Sequence, residues 1–568
     1  MTITKGETMS YNQTGARRIN GKSRVTRRRL LGHSTAAAGL GLLATQSRAF
    51  AATTGYLGGK APTFRMQDGE KTAIVIGEAD LETLKVDTWG SLLAYQAYRA
   101  LYEPLVHYQT KAGPDGTMYY DPENLDFRSA ESVEVVDGGK ELRWKIRPGQ
   151  TFENGRVIDA TAWEQTFHWH FDRKGVGLAQ AQVNGTLQSK DDVYADGDVL
   201  VMKFAEPNPW QISAFYILNQ SVVDVEEIMK HATDDDPYGE RWLEQNTVAS
   251  GPYRLEKWVR GEQLVFRARP EYWAGKPDID VLVFRIVPDA SVRYQLLQKG
   301  EVDIASGISF KDLAALQDEP NVVTELWRTN NWHEIVMNWK SGPLGDVNVR
   351  RAIACAVPYD EIVDQAFYGL AERLKSPFGV HVAGADPDLW PYEYDLDRAR
   401  EYLSQSDSPD GFTMPYYVAS TNVIEEPIAV LLQDSLSQIG INLELQKMTG
   451  VQLSEALINK NAEMAEFSFY SWVPDAGYHI LWNFMPDSFA NFYSWENEAA
   501  QGIASEAIPM AEGDERNDLL KQFQQAFADD VASLPLVMLP ESYPHKPNLS
   551  GFAYYPDSVI RWDKLTME

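Results

Sequence analysis

The chain is short of cysteine, of positive charge and of enzyme signatures. Cys355 is the single cysteine in 568 residues. No intrachain disulfide can form, and a cysteine-based zinc site is excluded. Cys355 lies in an apolar helical pattern and reads as a small buried side chain. Lys and Arg number 52 against 81 Asp and Glu, for a formal net charge of −29. The first 51 positions hold nine basic residues and one acid, a surplus of eight, so the remaining 517 residues carry −37. Such a surface repels phosphate backbones and anionic lipid heads, which argues against a nucleic-acid partner. G-x-x-x-x-G-K-[ST], G-x-S-x-G and H-E-x-x-H are all missing. His333-Glu334 begins like the zinc motif, but Met337 stands where the second histidine belongs. His168-Trp169-His170 is spaced i, i+2, which on a helix points the rings to different sides. No metal ligands, cofactor site or catalytic residues are therefore nominated.

The N-terminus carries a targeting pattern. Arg27-Arg28-Arg29 precedes a small, uncharged apolar stretch, Ser34 to Thr45, and Ala49-Phe50-Ala51 offers an A-x-A cleavage site. Basic head, short apolar segment and small-residue cut are the parts of a secretory signal. The arginine pair resembles a twin-arginine signal, which exports folded chains. The apolar stretch is too short for the roughly 20 residues of a membrane-spanning helix. Residues 1–51 are read as a leader, cleaved near Ala51, that sends the rest to the periplasm.

A chain this long divides into two or more domains. Its pattern mixes strands and helices. Leu142, Trp144 and Ile146 alternate with Arg143, Lys145 and Arg147, which predicts a half-buried strand over 141–148 closed at Pro148-Gly149. Val281 to Val287 is nearly all apolar and predicts a strand covered on both faces. Asp346 is placed to cap a helix whose Val349, Ile353, Ala356 and Val357 share a face. Ile428, Leu431, Leu432 and Ile439 mark another helix stopped by Gly440, and Ile441, Leu443 and Leu445 then alternate as a strand. Helix, glycine stop, strand is α/β grammar. Residues 191–198 and 233–239 read as surface turns.

Aromatic residues are plentiful: 16 Trp, 27 Tyr and 22 Phe. Many crowd one stretch: Phe467, Phe469, Tyr470, Trp472, Tyr478, Trp482, Phe484, Phe489, Phe492, Tyr493 and Trp495. Ring faces with a few aimed polar groups suit a small-molecule cleft, and plain core packing is the alternative for any one ring. Within this stretch Asp475 is a lone carboxylate beside Trp472. A buried carboxylate needs a partner, and a ligand ammonium could be one; an exposed loop or a helix cap is the other reading.

Several segments, in order, resemble the extracellular solute-binding proteins of family 5, the oligopeptide/dipeptide-binding type. They are Leu101-Tyr102-Glu103-Pro104-Leu105, Leu142 to Gly155, Thr161-Ala162-Trp163-Glu164, and Ser250-Gly251-Pro252-Tyr253 with Arg269-Pro270-Glu271-Tyr272-Trp273. Gly300-Glu301-Val302-Asp303, Asp346 to Val357 and Trp472 to Asp475 complete the set. The resemblance implies a two-lobed periplasmic-binding-protein fold of α/β class (type II, large cluster C type), with a hinge and an interlobe cleft. By motif order, lobe I covers 52–328, with an extra subdomain at about 95–249, and regains the chain at 536–568; lobe II covers 329–535. The implied role is capture of a small solute by lobe closure and delivery to the permease subunits of an ABC importer in the inner membrane, by a monomer without cofactor. In peptide binders of this type the aspartate of the G-W-x-x-D segment pairs with the ligand α-amino group, and Asp475 stands there. Ser471 replaces the glycine, Tyr478-His479 stands where Asp-Pro often follows, and Phe469 stands where some oligopeptide binders have arginine. Trp472, Trp332, Asn491 and Phe469 join Asp475 as candidate ligand-binding residues. Peptides or amino-acid-derived solutes lead, with oligosaccharides, glycosides and opines as alternatives of the same fold. A twin-arginine-exported hydrolase is the rival of another class.

Overall fold

The computed structural model describes residues 69–568 apart from 89–90, 115, 186, 421 and 489. The expected leader at 1–51 and the ring of Phe489 lie outside the described residues.

The alternation over 141–148 is a strand, Glu141–Ile146, with Leu142, Trp144 and Ile146 buried. Gly149 turns the chain at φ +80°, a left-handed conformation that glycine adopts without a Cβ clash. The strand lies in a four-stranded antiparallel sheet in the order Ala130–Val136, Glu141–Ile146, Val199–Lys203, Val193–Asp196. The last strand corrects the expectation of a surface turn at 191–198. Val193 is fully buried and Gly197 takes φ +66°, so the acidic stretch folds as a hairpin on the sheet edge.

The apolar run at 281–287 forms Val281–Ile286, which pairs in parallel with Thr72–Gly77. Ile304–Ala305 extends this sheet beyond Thr72–Gly77, while Gln263–Ala268 and Tyr253–Val259 complete five strands on the other side. A six-stranded sheet runs Glu372–Arg373, Leu534–Glu541, Trp327–Met337, Met464–Phe469, Phe412–Ala419, Ile441–Met448. Helix Glu425–Ser437 connects its last two strands, which pair in parallel, and Gly440 turns between them at φ +86°. Helix Val347–Ala356 is capped by Asp346, whose carboxylate accepts from the Asn348 N–H, and it buries Val349, Ile353 and Cys355. Burial raises the Cys355 thiol pKa to about 11, which leaves it protonated and unreactive.

Two large apolar cores result. One is built on the five- and four-stranded sheets and takes in the C-terminal segment through Tyr543, Phe552, Tyr555 and Trp562. The other surrounds the six-stranded sheet and its helices. Two neighbouring strands connect them. Trp327 belongs to the first core and Trp332 to the second, with a register shift between Arg328 and Trp332 where Trp327–Met337 pairs Leu534–Glu541. The turn from one core to the other thus falls at Thr329, Asn330 and Asn331. Their side chains are held by hydrogen bonds: Thr329 Oγ1 donates to the Leu539 carbonyl, Asn330 Nδ2 to Tyr120 Oη and Asn331 Nδ2 to Ser558 Oγ. No helix among the described residues is long and apolar enough to cross a membrane.

Candidate functional site

The period-2 geometry of a strand puts alternate side chains on one face. In Met464–Phe469 this sets Phe467 beside Phe469, ring centroids 4.7 Å apart, and Phe492 meets both at 5.1 and 6.1 Å. These rings wall a cavity of about 490 Å³. Trp472, Tyr478, Trp482 and Asn483 continue the wall along the next loop and helix Ala476–Asn483, and Ile458 and Ser454 close a side. The opposite wall comes from the first core's half: Ser91, Leu92 and Tyr95 around helix Leu92–Leu101, Gln180 on helix Val176–Gly185, and Asp557. A volume in this range suits a small molecule enclosed by rings.

Side chains from the two walls touch. Tyr95 meets Trp472 edge to face at 5.1 Å, and the Tyr216 hydroxyl donates to the Trp472 carbonyl. The Tyr478 hydroxyl donates to Gln180 Oε1 at 3.3 Å, and its ring lies 6.1 Å from Trp210. Val473 and Tyr478 pack in the first core although the chain on both sides of them belongs to the second.

Of the five residues nominated from sequence, Trp472 and Phe469 stand on the cavity wall. The other three stand behind or beside it. Trp332 is fully buried and stacks on the back of Phe469 at 5.2 Å, and its indole N–H donates to Glu334 at 3.2 Å. Asn491 ties a loop together: Nδ2 donates to the Met485 and Trp495 carbonyls, and Oδ1 accepts from the Trp495 N–H. Asp475 caps helix Ala476–Asn483, accepting from the Gly477 N–H at 2.7 Å and from Arg516 Nη2 at 2.6 Å. Arg516 is itself 1% exposed. The partner that a buried carboxylate requires is thus supplied by the chain. Gly477 makes room for it: a Cβ there would lie 2.8 Å from Arg516 Nη2 and 2.9 Å from the Trp210 ring.

The charged and titratable groups at the wall are similarly committed. Asp557 accepts from Arg99 Nη2, from Arg561 Nη1 and Nη2, and from the Val559 N–H, at 2.8 to 3.2 Å. Burial drives the His479 pKa down to about 3, so its ring is neutral, and Nε2 lies 2.9 Å from Ser471 Oγ. Asn483 differs. It is 2% exposed, lies on the wall, and its carboxamide has no hydrogen-bond partner among the described residues. Sequence reasoning counted Phe467, Tyr470, Tyr478, Trp482 and Phe492 in the aromatic cluster without nominating them. It passed over Tyr95, Gln180 and Asn483, for which no local pattern gave a signal. No group of three or more His, Cys, Asp or Glu among the described residues is disposed to hold a metal ion.

Two cores joined by a pair of crossing strands, with a ring-lined cavity walled from both, define a two-lobed solute-binding protein. The chain belongs to the bacterial extracellular solute-binding proteins, family 5, whose middle-region model matches residues 127–491. It is 25% identical over 500 residues, 86% of this chain and 92% of its relative, to the probable D,D-dipeptide-binding periplasmic protein DdpA of Escherichia coli. It is 26% identical over 459 residues, 77% of this chain and 85% of the other, to the glutathione-binding protein GsiB of Salmonella paratyphi A. Among solved structures, the periplasmic binding protein DppA of Helicobacter pylori superposes with a TM-score of 0.76 at 19% identity, covering 88% of this chain and 98% of that one. The type II periplasmic-binding-protein fold implied by the motifs is therefore the fold of this chain.

Proposed function

We propose that this protein captures a small amino-acid-derived solute between its lobes in the periplasm and hands it to the permease subunits of an ABC importer, with no bond made or broken. Lobe I is residues 52–328 with 536–568, and lobe II is residues 329–535. Residues 1–51 serve as the twin-arginine leader. The observation that carries the reading is the cavity's double wall: Tyr95 and Gln180 face Trp472 and Tyr478 across it. A solute touching both walls binds the closed arrangement better than an open one, and that differential affinity is what drives closure. DdpA and GsiB, named for a dipeptide and a tripeptide, support an amino-acid-derived solute.

Two measurements test the reading. Mass spectrometry of what the native protein releases on denaturation is expected to find an intact solute of this class. Small-angle scattering is expected to show compaction when that solute is added back in excess. Chemical conversion of the released solute by the protein would replace this reading with an enzyme, and an unchanged scattering profile would remove the hinge.

A further inference from the structure

We infer that the cavity selects a solute without net or terminal charge: an amide with its ends blocked or joined in a ring, carrying at least one apolar ring, rather than a free zwitterionic peptide. This rests on the amino-acid-derived reading above and narrows it. Among the described residues of the wall, Asp557 is the one ionised side chain, and its two oxygens already accept four donors. An α-ammonium would find no open acceptor there. Asp475, the carboxylate of the family motif, is off the wall and bound to Arg516. Among the described residues, no lysine or arginine side chain stands on the wall to receive a terminal carboxylate. A zwitterion would therefore bury two ionised groups without charged partners, which is far more costly than burying neutral amides.

What the wall does offer is neutral and paired in sense. Asn483 presents a whole carboxamide, with both donors and its acceptor uncommitted among the described residues, at 2% exposure. Gln180, 1% exposed on the facing wall, accepts from Tyr478 through Oε1 and keeps its Nε2 donors. A carboxamide is complementary to another amide, since each carries N–H and C=O. Leaving Asn483 unmatched in a closed cavity costs the desolvation of a polar group, so the solute is expected to meet it. Trp472, Phe469 and Phe492 supply flat apolar faces around this amide. The solute class that answers each group is a neutral amide flanked by rings.

The test is calorimetric titration of the full-length protein, freed of co-purified solute, with three forms of one peptide: zwitterionic Phe-Phe, N-acetyl-Phe-Phe-amide and cyclo(Phe-Phe). At least one neutral form is expected to bind at least tenfold tighter than the zwitterion. Asn483→Ala is expected to weaken that binding at least tenfold, whereas Asp475→Asn, provided circular dichroism shows it folded, leaves it within threefold. Tighter binding of the zwitterion, or a neutral form whose binding ignores Asn483, overturns the inference. Phenyl β-glucoside and phenyl β-glucuronide separate it from the reading beneath it. If no peptide form binds but the neutral glycoside is preferred to the charged one, the amino-acid-derived reading fails while selection against charge stands. Preference for the glucuronide, or binding of none of the five, overturns both.

Discussion

In the half built on the five- and four-stranded sheets, several buried carboxylates pair with buried arginines; around the six-stranded sheet, burial pushes the buried glutamates toward their neutral form. Arg128, 2% exposed, binds Glu103 at 2.8 Å and Asp563 at 2.7 Å, and its Nη2 also donates to Tyr272 Oη. Burial pulls its pKa down, but Glu103, Tyr272 and Asp563 outweigh that and hold it well above the ordinary arginine value. Arg99 and Arg561 share Asp557, but there burial, with Arg561 close by, wins and lowers the Arg99 pKa to about 10. In the other half, His333 Nε2 meets Glu466 Oε2 at 2.9 Å, yet burial drives the His333 pKa down to about 3 and the Glu466 pKa well above its usual value. In that pair burial disfavours the charged form of both partners. Glu334 accepts from Trp332, Ser533 and Tyr493, and burial still raises its pKa to about 7. The difference follows from supply. Burial raises the Glu103 pKa as well, but Arg128 and the Tyr272 hydroxyl oppose it there, whereas among the described residues no arginine is paired with Glu334 or Glu466. The ion pair Asp475–Arg516 is the second half's exception, and it sits where Gly477 meets Trp210 of the first half.

The largest expected effect breaks the charged side of this contrast. Arg128→Met leaves Glu103 and Asp563 buried without their cation and is expected to cost about 3–5 kcal/mol of stability. Chemical denaturation measures it. Adding Glu103→Gln to the same chain should recover part of the loss. A loss below about 1 kcal/mol would place Arg128 with surface ion pairs and dissolve the comparison.

Glu334→Gln sharpens the neutral side through pH. The folded carboxyl holds its proton up to about 7, whereas the unfolded one releases it near 4.5. The folded state therefore binds more protons between those values, so the wild type loses stability as pH rises from about 4.5 through 7. His333 acts in the opposite sense: its stabilisation is present above 6.5 and fades as pH falls toward 3. Glutamine cannot ionise. The stability of Glu334→Gln relative to wild type should rise by about 3 kcal/mol between pH 4.5 and pH 8. Urea titrations at both values measure this change, and a flat difference would mean that Glu334 is ionised in the fold.

The same contrast explains what could be read without coordinates. The strand at Glu141–Ile146, the capped helix Val347–Ala356 and the helix–Gly440–strand unit were legible because each follows from local periodicity and a stop signal. The hairpin at 193–203 was hidden by the acids around it, since one buried residue, Val193, decides its edge strand. At the site, Trp472 and Phe469 were reachable because rings cluster in sequence. The state of Asp475 was not, because Arg516 lies 41 residues away and nothing local announces it. Asn483 and Gln180 were missed for the same reason: an amide gains its meaning only from what stands opposite.

The smallest effect concerns the seam between the halves. The Tyr478 hydroxyl reaches Gln180 at 3.3 Å, a long hydrogen bond, while the ring keeps its place beside Trp210 and Trp482. Tyr478→Phe deletes that bond and the hydroxyl's interaction with Trp482 on the same wall, at a cost of about 0.5–1.5 kcal/mol. The bond spans the two walls, so if they part without solute it contributes only when they are closed on one. Its loss should appear as weaker affinity, at most about tenfold, for whichever neutral Phe-Phe derivative binds, with the unfolding midpoint of the solute-free protein unchanged. A lower midpoint with unaltered affinity would show that the walls stay joined without solute. The seam would then belong to the permanent fold, and the two halves would differ in how they stay dry but not in whether they part.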